Sequence, residues 1–264
     1  DLERALEGAT PDQTLFVTAS VSKTVTSLAI LQLVDEGLLD LDAPIDDYLP
    51  YTVRHPSFPE TPITARMLLT HTSGLADDFA ILGRATFEGD PPVSLREFAE
   101  GYVTTGGAYF GADNWAHEPG TEHDYCNVHF GILGDLVETL SGQTFRDRTR
   151  ARIFDPLGMT ETGWFLADVD PALLSFPYSY VRGTFAPQPH LGYAFYPAST
   201  LRTSAAELGR FLSANIQDGV LDGARVLDAP IAVAAREPQF PAIDDYVAGR
   251  IDAVYVIYNE FKSA

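Results

Sequence analysis

The chain has 264 residues, 45% of them hydrophobic, and can bury a substantial core as one large domain or two small ones. Its 37 acidic and 17 basic residues give a net charge of -20. Such a surface would repel nucleic acid and anionic membranes, so we expect neither as a partner. No apolar run approaches the roughly 18 residues that span a bilayer, and the single cysteine excludes an intramolecular disulfide framework. Asp1 to Thr10 show no apolar stretch behind a basic flank, which predicts no secretion signal and leaves the compartment open.

The charged residues are strongly biased in type. Arginine supplies 15 of the 17 basic residues, and 23 aspartates exceed 14 glutamates. This pattern resembles salt-adapted proteins, in which molar salt shortens the Debye length to about 3 Å and screens self-repulsion. We therefore hypothesise a halophilic origin, with an acidic surface encoded by a GC-rich genome as the alternative.

The apolar pattern predicts capped helices joined by turns rich in proline and glycine. The first helix starts at Val21, is apolar on nearly all sides and stops at Gly37, which is typical of a buried helix. Ser-x-x-Glu capping boxes at 94–97 and 204–207 mark two further helix starts.

Later segments predict one more helix and little sheet. Val128 to Leu140 repeat apolar residues at helical spacing and precede Gly142. Residues 171–200 are rich in proline, tyrosine and phenylalanine without a clean period, which predicts a long ordered loop or a few short strands. The best strand candidates are Thr14 to Thr18 and Val254 to Tyr258.

Ser20 and Lys23 lie at the start of the first helix. Three residues apart on a helix, they share one face, about 5 to 6 Å apart at Cβ. A serine hydroxyl needs a base to become a nucleophile, and a lysine is one only when burial or a nearby cation lowers its pKa. The buried helix supplies that burial, and its N-terminal N–H groups favour negative charge on a bound acyl group. The pair predicts a nucleophile and its base, although a Ser-x-x-Lys spacing also arises by chance.

Tyr125 and Asn127 lie just before the helix that starts at Val128. The phenol of Tyr125 would serve as a second base or proton shuttle if cationic Lys23 lowered its pKa, and Asn127 would bond the lysine or a substrate carbonyl. The structural alternative is that Asn127 only caps the helix. Cys126 between them is expected to point away as a small packed hydrophobe.

The histidines near Tyr125 do not predict a metal site. His117, His123 and His129 are six residues apart, which does not place two ligands on one helical face. His71, within Thr-His-Thr-Ser-Gly, is interpreted as a structural turn residue rather than a catalyst.

These motifs lie in longer stretches that resemble the serine β-lactamase and penicillin-binding-protein-like superfamily, especially its class C β-lactamase, esterase and D-aminopeptidase branch. The matching stretches are Leu15 to Thr24, Leu33 to Asp42, Leu68 to Leu75, Pro119 to Thr121, Tyr125 to Asn127, Pro156 to Thr160 and Leu201 to Ser204. The resemblance implies an α/β fold of the α+β type, β-lactamase/transpeptidase-like, with a helical region and an antiparallel sheet. It implies that Ser20 is the acylated nucleophile, Lys23 its activating partner, Tyr125 the general base and acid, and Asn127 a substrate-positioning group, with no metal or cofactor.

Two departures from that family predict an incomplete sheet. The family's third motif, Lys-Thr-Gly or His-x-Gly, does not follow Ser204 in this sequence, and His190-Leu191-Gly192 fits the letters but lies before that point. Only 19 residues precede Ser20, where the family has two strands and a helix. We expect residues 1–250 to form a β-lactamase-related domain and 251–264 to form an atypical tail with strand potential.

The function predicted from the sequence is a serine hydrolase that forms an acyl-enzyme on Ser20. Its expected partner is a small ester or amide, with β-lactams as a further substrate class. The alternative is a catalytically inactive remnant or binding module of the same fold. The sequence leaves the oligomeric state open.

Overall fold

The computed structural model describes residues 9–237 and Gln239, so the strand predicted for Val254 to Tyr258 and the tail 251–264 lie outside the described residues. The helices in chain order are α1 (Ser22–Asp35), α2 (Ala65–Leu69), α3 (Phe79–Arg84), α4 (Leu95–Val103), α5 (Val128–Ser141), α6 (Phe145–Thr149), α7 (Ala205–Ile216) and α8 (Ala229–Ala234). The strands are β1 (Phe16–Val17), β2 (Thr86–Glu88), β3 (Tyr178–Val181), β4 (Thr184–Pro187), β5 (Leu191–Tyr193), β6 (Arg202–Thr203), β7 (Val220–Leu221) and β8 (Ala224–Arg225). Among these residues no helix has the length and apolar character needed to cross a bilayer.

Helix α1 runs through the core. Every residue from Ser22 to Leu33 is buried, which confirms the prediction of a helix buried on most sides. The helix packs against α5 and against a 3-10 turn at Tyr196–Ala198. Its apolar residues secure that position, since burying one such side chain contributes about 1.5 to 3 kcal/mol. The residues of its first turn, which include Lys23, are therefore buried away from solvent.

Side-chain caps fix the starts of the surface helices, as the sequence predicts. The Ser94 hydroxyl accepts a hydrogen bond from the backbone N–H of Glu97, and the Ser204 hydroxyl accepts one from Glu207. Each such cap stabilises its helix by about 1 kcal/mol. Helix α5 ends at Gly142, whose φ of 68° lies in the left-handed region that favours glycine.

The strands in the described part of the chain pair two by two, and each pair is antiparallel: β1 with β6, β2 with β5, β3 with β4 and β7 with β8. Three of these strands lie within residues 171–200, which confirms the prediction of short strands there. Of the predicted strand Thr14 to Thr18, only Phe16–Val17 forms a ladder. The fold thus combines helices with small antiparallel sheets, as expected for the α+β type.

The predicted aromatic segment divides between core and surface. Phe195 and Tyr196 are buried in the core, Tyr193 is half-buried, and Tyr178 and Tyr180 are exposed on β3. Phe195 and Tyr196 therefore belong to the hydrophobic core.

Candidate active site

Ser20 lies in a tight turn, and the residues at both ends of this turn form hydrogen bonds with the backbone of Leu201. The turn is a 3-10 helix, Ala19–Val21, and Ala19 has a positive φ of 45°. The backbone N–H of Thr18 donates to the carbonyl of Leu201 at 2.9 Å, and the N–H of Leu201 donates to the Ser22 hydroxyl at 3.0 Å. The α-helix begins after Ser20, so Ser20 and Lys23 span the junction of a 3-10 turn and an α-helix.

The Ser20 hydroxyl nevertheless lies within hydrogen-bonding distance of both predicted partners. Its Oγ is 3.1 Å from Lys23 Nζ and 2.7 Å from the phenolic oxygen of Tyr125. Ser20 and Tyr125 are half-buried, whereas Lys23 is fully buried. The structure thus brings together a partly accessible hydroxyl and two groups that can exchange protons with it.

Burial sets the protonation of Lys23. Desolvation lowers the pKa of Lys23 from 10.5 to about 7, and the charge of Asp77 opposes this shift. The Nζ atom also donates to Asn127 Oδ1 at 2.7 Å and to the carbonyl oxygen of Ala198 at 3.0 Å. A lysine whose pKa is near neutrality is available as a base in its neutral form.

Asp77, rather than Asn127, caps helix α5. Asn127 occupies the N-cap position, but its side chain makes no capping bond. The carboxylate of Asp77 instead accepts from the backbone N–H of Asn127 at 2.8 Å and of Val128 at 3.2 Å. The alternative that Asn127 serves only as a cap is wrong, because its side chain bonds Lys23 and Asp77.

Cys126 is buried, as the sequence predicts, and its thiol lies 3.2 Å from Asp77 Oδ1. Burial raises the pKa of the Cys126 thiol, so it stays protonated. The Cys126 thiol therefore donates a hydrogen bond to the carboxylate of Asp77.

A buried pair of histidines supports Tyr125 from behind. The ring of His71 lies 4.6 Å from the Tyr125 ring, and His71 Nδ1 is 3.1 Å from His129 Nδ1. His129 Nε2 is 2.7 Å from the Ser73 hydroxyl, and burial lowers the pKa of His129 to about 3, so its ring is neutral. His71 has a positive φ of 58°, which agrees with its interpretation as a turn residue.

The other histidines take separate positions. His117 lies 3.5 Å from Glu122 and 3.6 Å from Asp124 at the surface. No group of three or more candidate metal ligands occurs among residues 9–237 and Gln239. His190 and Gly192 flank the start of β5, which pairs with β2, while the strand next to the Ser20 turn pairs with β6.

Asp77 and the carbonyl of Ala198 are site groups that the sequence interpretation missed. Asp77 follows the motif Leu68 to Leu75, but nothing in its spacing points to a segment about 50 residues away. The Ala198 carbonyl is a backbone group, so the residue type at this position does not indicate the contact with Lys23. Both contacts depend on how distant segments pack against α1.

A partly accessible serine, a buried lysine and a tyrosine thus lie together at the junction of helices and small sheets. The family model described as "Beta-lactamase" matches residues 4–245. The chain therefore belongs to the β-lactamase family.

Its relatives carry several names. "Penicillin-binding protein 4" of Amycolatopsis lactamdurans is 31% identical over 252 residues, which cover 93% of this chain and 62% of the relative. "Esterase EstB" of Burkholderia gladioli is 32% identical over 173 residues, covering 63% of this chain and 42% of the relative. The octameric penicillin-binding protein homologue from Pyrococcus abyssi superposes with a TM-score of 0.69 at 26% identity, covering 88% of this chain and 50% of the other. The chain thus spans between 42% and 62% of the length of these proteins.

Proposed function

We propose that this protein is a serine hydrolase that forms an acyl-enzyme on Ser20 and acts on small esters or amides. The observation that carries the proposal is the continuous hydrogen-bonded set Tyr125, Ser20, Lys23 and Asn127, in which the lysine is buried and its pKa lies near 7. An ordinary surface lysine at a helix start would remain charged and would not act as a base.

In the proposed acylation step, Ser20 Oγ attacks the substrate carbonyl carbon and forms the new C–O bond. Neutral Lys23, 3.1 Å away, accepts the hydroxyl proton as the bond forms. Tyr125, 2.7 Å from the same oxygen, passes a proton to the departing alcohol or amine as its bond to the carbonyl breaks. Because the groups are in contact before substrate arrives, little orientation remains to be achieved in the transition state.

In the deacylation step, a water molecule takes the place of the leaving group. Tyr125, which gave up its proton during acylation, removes a proton from the water as it attacks the acyl carbon. The bond between the acyl group and Ser20 then breaks, protonated Lys23 returns a proton to Ser20 Oγ, and the acid leaves. Lys23 and Tyr125 are thereby returned to their starting protonation states.

The proposed substrates follow from the reaction and from the relatives. Esters, amides and β-lactams all present a carbonyl carbon to a serine nucleophile, and the relatives include proteins named as a penicillin-binding protein and an esterase. Small esters form the first substrate class to test, because their leaving groups need the least protonation. Amides and β-lactams form the next two classes.

The test is intact mass spectrometry after exposure to a fluorophosphonate ester, in low and in molar salt, with Ser20→Ala as the matched variant. The expected result is a single adduct on the wild-type protein and none on the variant. Folded wild-type protein that gains no adduct in either salt would instead support the inactive remnant or binding module.

A further inference from the structure

Asp77 contacts four donors at the entrance to helix α5. Its Oδ1 accepts from the N–H of Asn127 at 2.8 Å and lies 3.2 Å from both the N–H of Val128 and the thiol of Cys126. Its Oδ2 accepts from Asn127 Nδ2 at 2.6 Å. The next residue, Asp78, performs a different task, because its side chain caps helix α3 through the N–H groups of Ala80 and Ile81.

The contact with Asp77 fixes which way the Asn127 amide faces. A carboxylate only accepts hydrogen bonds, so the side-chain NH2 group of Asn127 must face Asp77. The amide oxygen then faces the other way and lies 2.7 Å from Lys23 Nζ. Charge-assisted hydrogen bonds of this length are among the stronger ones in proteins, so the orientation is held firmly.

The orientation of Asn127 decides where the lone pair of Lys23 points. A neutral amine has two N–H donors and one lone pair, and Nζ has three oxygen neighbours in Asn127, Ala198 and Ser20. The Ala198 carbonyl and the amide oxygen of Asn127 only accept, so each takes one N–H. The hydroxyl of Ser20 is then the neighbour that can donate to the lone pair. With Asn127 turned over, its NH2 group would compete for that lone pair.

We propose that Asp77 is a positioning residue that aims the lone pair of Lys23 at Ser20 by locking the Asn127 amide. This inference rests on the proposed function, since it assigns a base to the Ser20 nucleophile. Asp77 touches neither the serine nor the site of bond formation, and it acts through Asn127.

The charges around Lys23 determine how loss of Asp77 alters the pH dependence. Besides Asp77, the titratable groups that face the lysine are Tyr125, Cys126 and His129, with His71 behind the tyrosine ring. Cys126 stays a neutral thiol and His129 a neutral imidazole. Of the groups around Lys23, Asp77 does most to raise its pKa against desolvation, so removal of Asp77 lowers that pKa and extends the neutral form of the lysine to lower pH.

Asp77→Asn tests both effects with one change of similar size. The new amide would place a donor against the Asn127 NH2 group, which favours turning Asn127 over and loses the aimed lone pair. The rate of fluorophosphonate labelling, followed by mass spectrometry from pH 5 to 9, is expected to fall about 10- to 100-fold at its plateau. The midpoint of its acid limb is expected to move to lower pH. Asp78→Asn changes the net charge equally and keeps a good helix cap, so its plateau and midpoint should match those of the wild type.

The outcomes separate this inference from the proposed function. If the folded wild-type protein is not labelled by the fluorophosphonate, the proposed function itself is contradicted. A wild type that labels, beside Asp77→Asn with an unchanged plateau and midpoint, overturns the role of Asp77 alone. If Asp77→Asn does not fold, Asp77→Glu keeps the charge and moves the acceptors, so the plateau should fall while the midpoint stays. Failure of both variants to fold, with Asp78→Asn folded, would assign Asp77 to folding and overturn the proposal.

Discussion

Replacement of Lys23 by methionine should change how the stability of the protein depends on pH. Lys23 is fully buried, and its pKa in the folded protein is about 7 against 10.5 as the ordinary value. Between these two pH values the unfolded chain binds one more proton at this position than the folded chain does. Stability therefore rises with pH in that window, and Lys23→Met removes the rise.

The size of the effect follows from the shift. One pKa unit corresponds to 1.36 kcal/mol, so a shift of about 3.5 units corresponds to about 5 kcal/mol across the whole window. Between pH 7 and 9 the wild type should gain about 2 kcal/mol relative to Lys23→Met, because Lys23 is already half deprotonated in the folded protein at pH 7. Below pH 6, where both states are protonated, the difference should be constant.

Urea unfolding of both proteins at several pH values measures this difference directly. Ser20→Ala is the matched control, since it keeps the buried lysine and its curve should run parallel to that of the wild type. If the difference between the free energies of unfolding of the wild type and Lys23→Met stayed constant from pH 6 to 9, Lys23 would have an ordinary pKa and could not serve as the base.

Three further predictions concern proton transfer by Tyr125, the buried carboxylate of Asp135 and the net charge of the protein. Tyr125→Phe should keep the fold and lower the rate of ester hydrolysis at Ser20 about 10²- to 10⁴-fold, measured as product release, and an unchanged rate would remove Tyr125 from the reaction. Asp135→Asn should lower the free energy of unfolding by about 2 kcal/mol, because the buried carboxylate accepts a hydrogen bond from Tyr51 at 2.8 Å and pairs with Arg96 at 2.8 Å. Urea unfolding measures this loss, and a loss below about 0.5 kcal/mol would contradict the prediction. The melting temperature should rise between dilute buffer and molar salt because salt screens the net charge of -20, and a temperature that stays level would refute the halophilic hypothesis.

The helices could be predicted from the sequence because their signals are local. The caps at Ser94 and Ser204 and the stop at Gly142 each depend on residues within one turn of the helix end. The apolar residues on nearly all sides of α1 likewise predicted its central place. These elements position part of the candidate site, since Lys23 lies in the first turn of α1 and Ser20 in the 3-10 turn that precedes it.

The pairings of β1 with β6 and of β2 with β5 could not be predicted because the partner strands are remote in the chain. The pattern from Thr14 to Thr18 indicated a strand but did not indicate that Phe16 pairs with Thr203. Asp77 was missed for the same reason, since its contact with Asn127 exists only after two loops pack together. The alternative that Asn127 only caps the helix is wrong because the Asp77 carboxylate accepts from the backbone N–H groups there, while the Asn127 amide bonds Lys23.

Trapping the acyl-enzyme during turnover tests the central claim most directly. The protein is mixed with a p-nitrophenyl ester, quenched in acid at short times, weighed intact and then digested to locate the added mass. We expect a mass gain equal to the acyl group, located on Ser20, that rises with release of p-nitrophenol and decays as the acid leaves. Release of p-nitrophenol with no mass gain, or with the acyl group on another residue, would contradict Ser20 as the nucleophile.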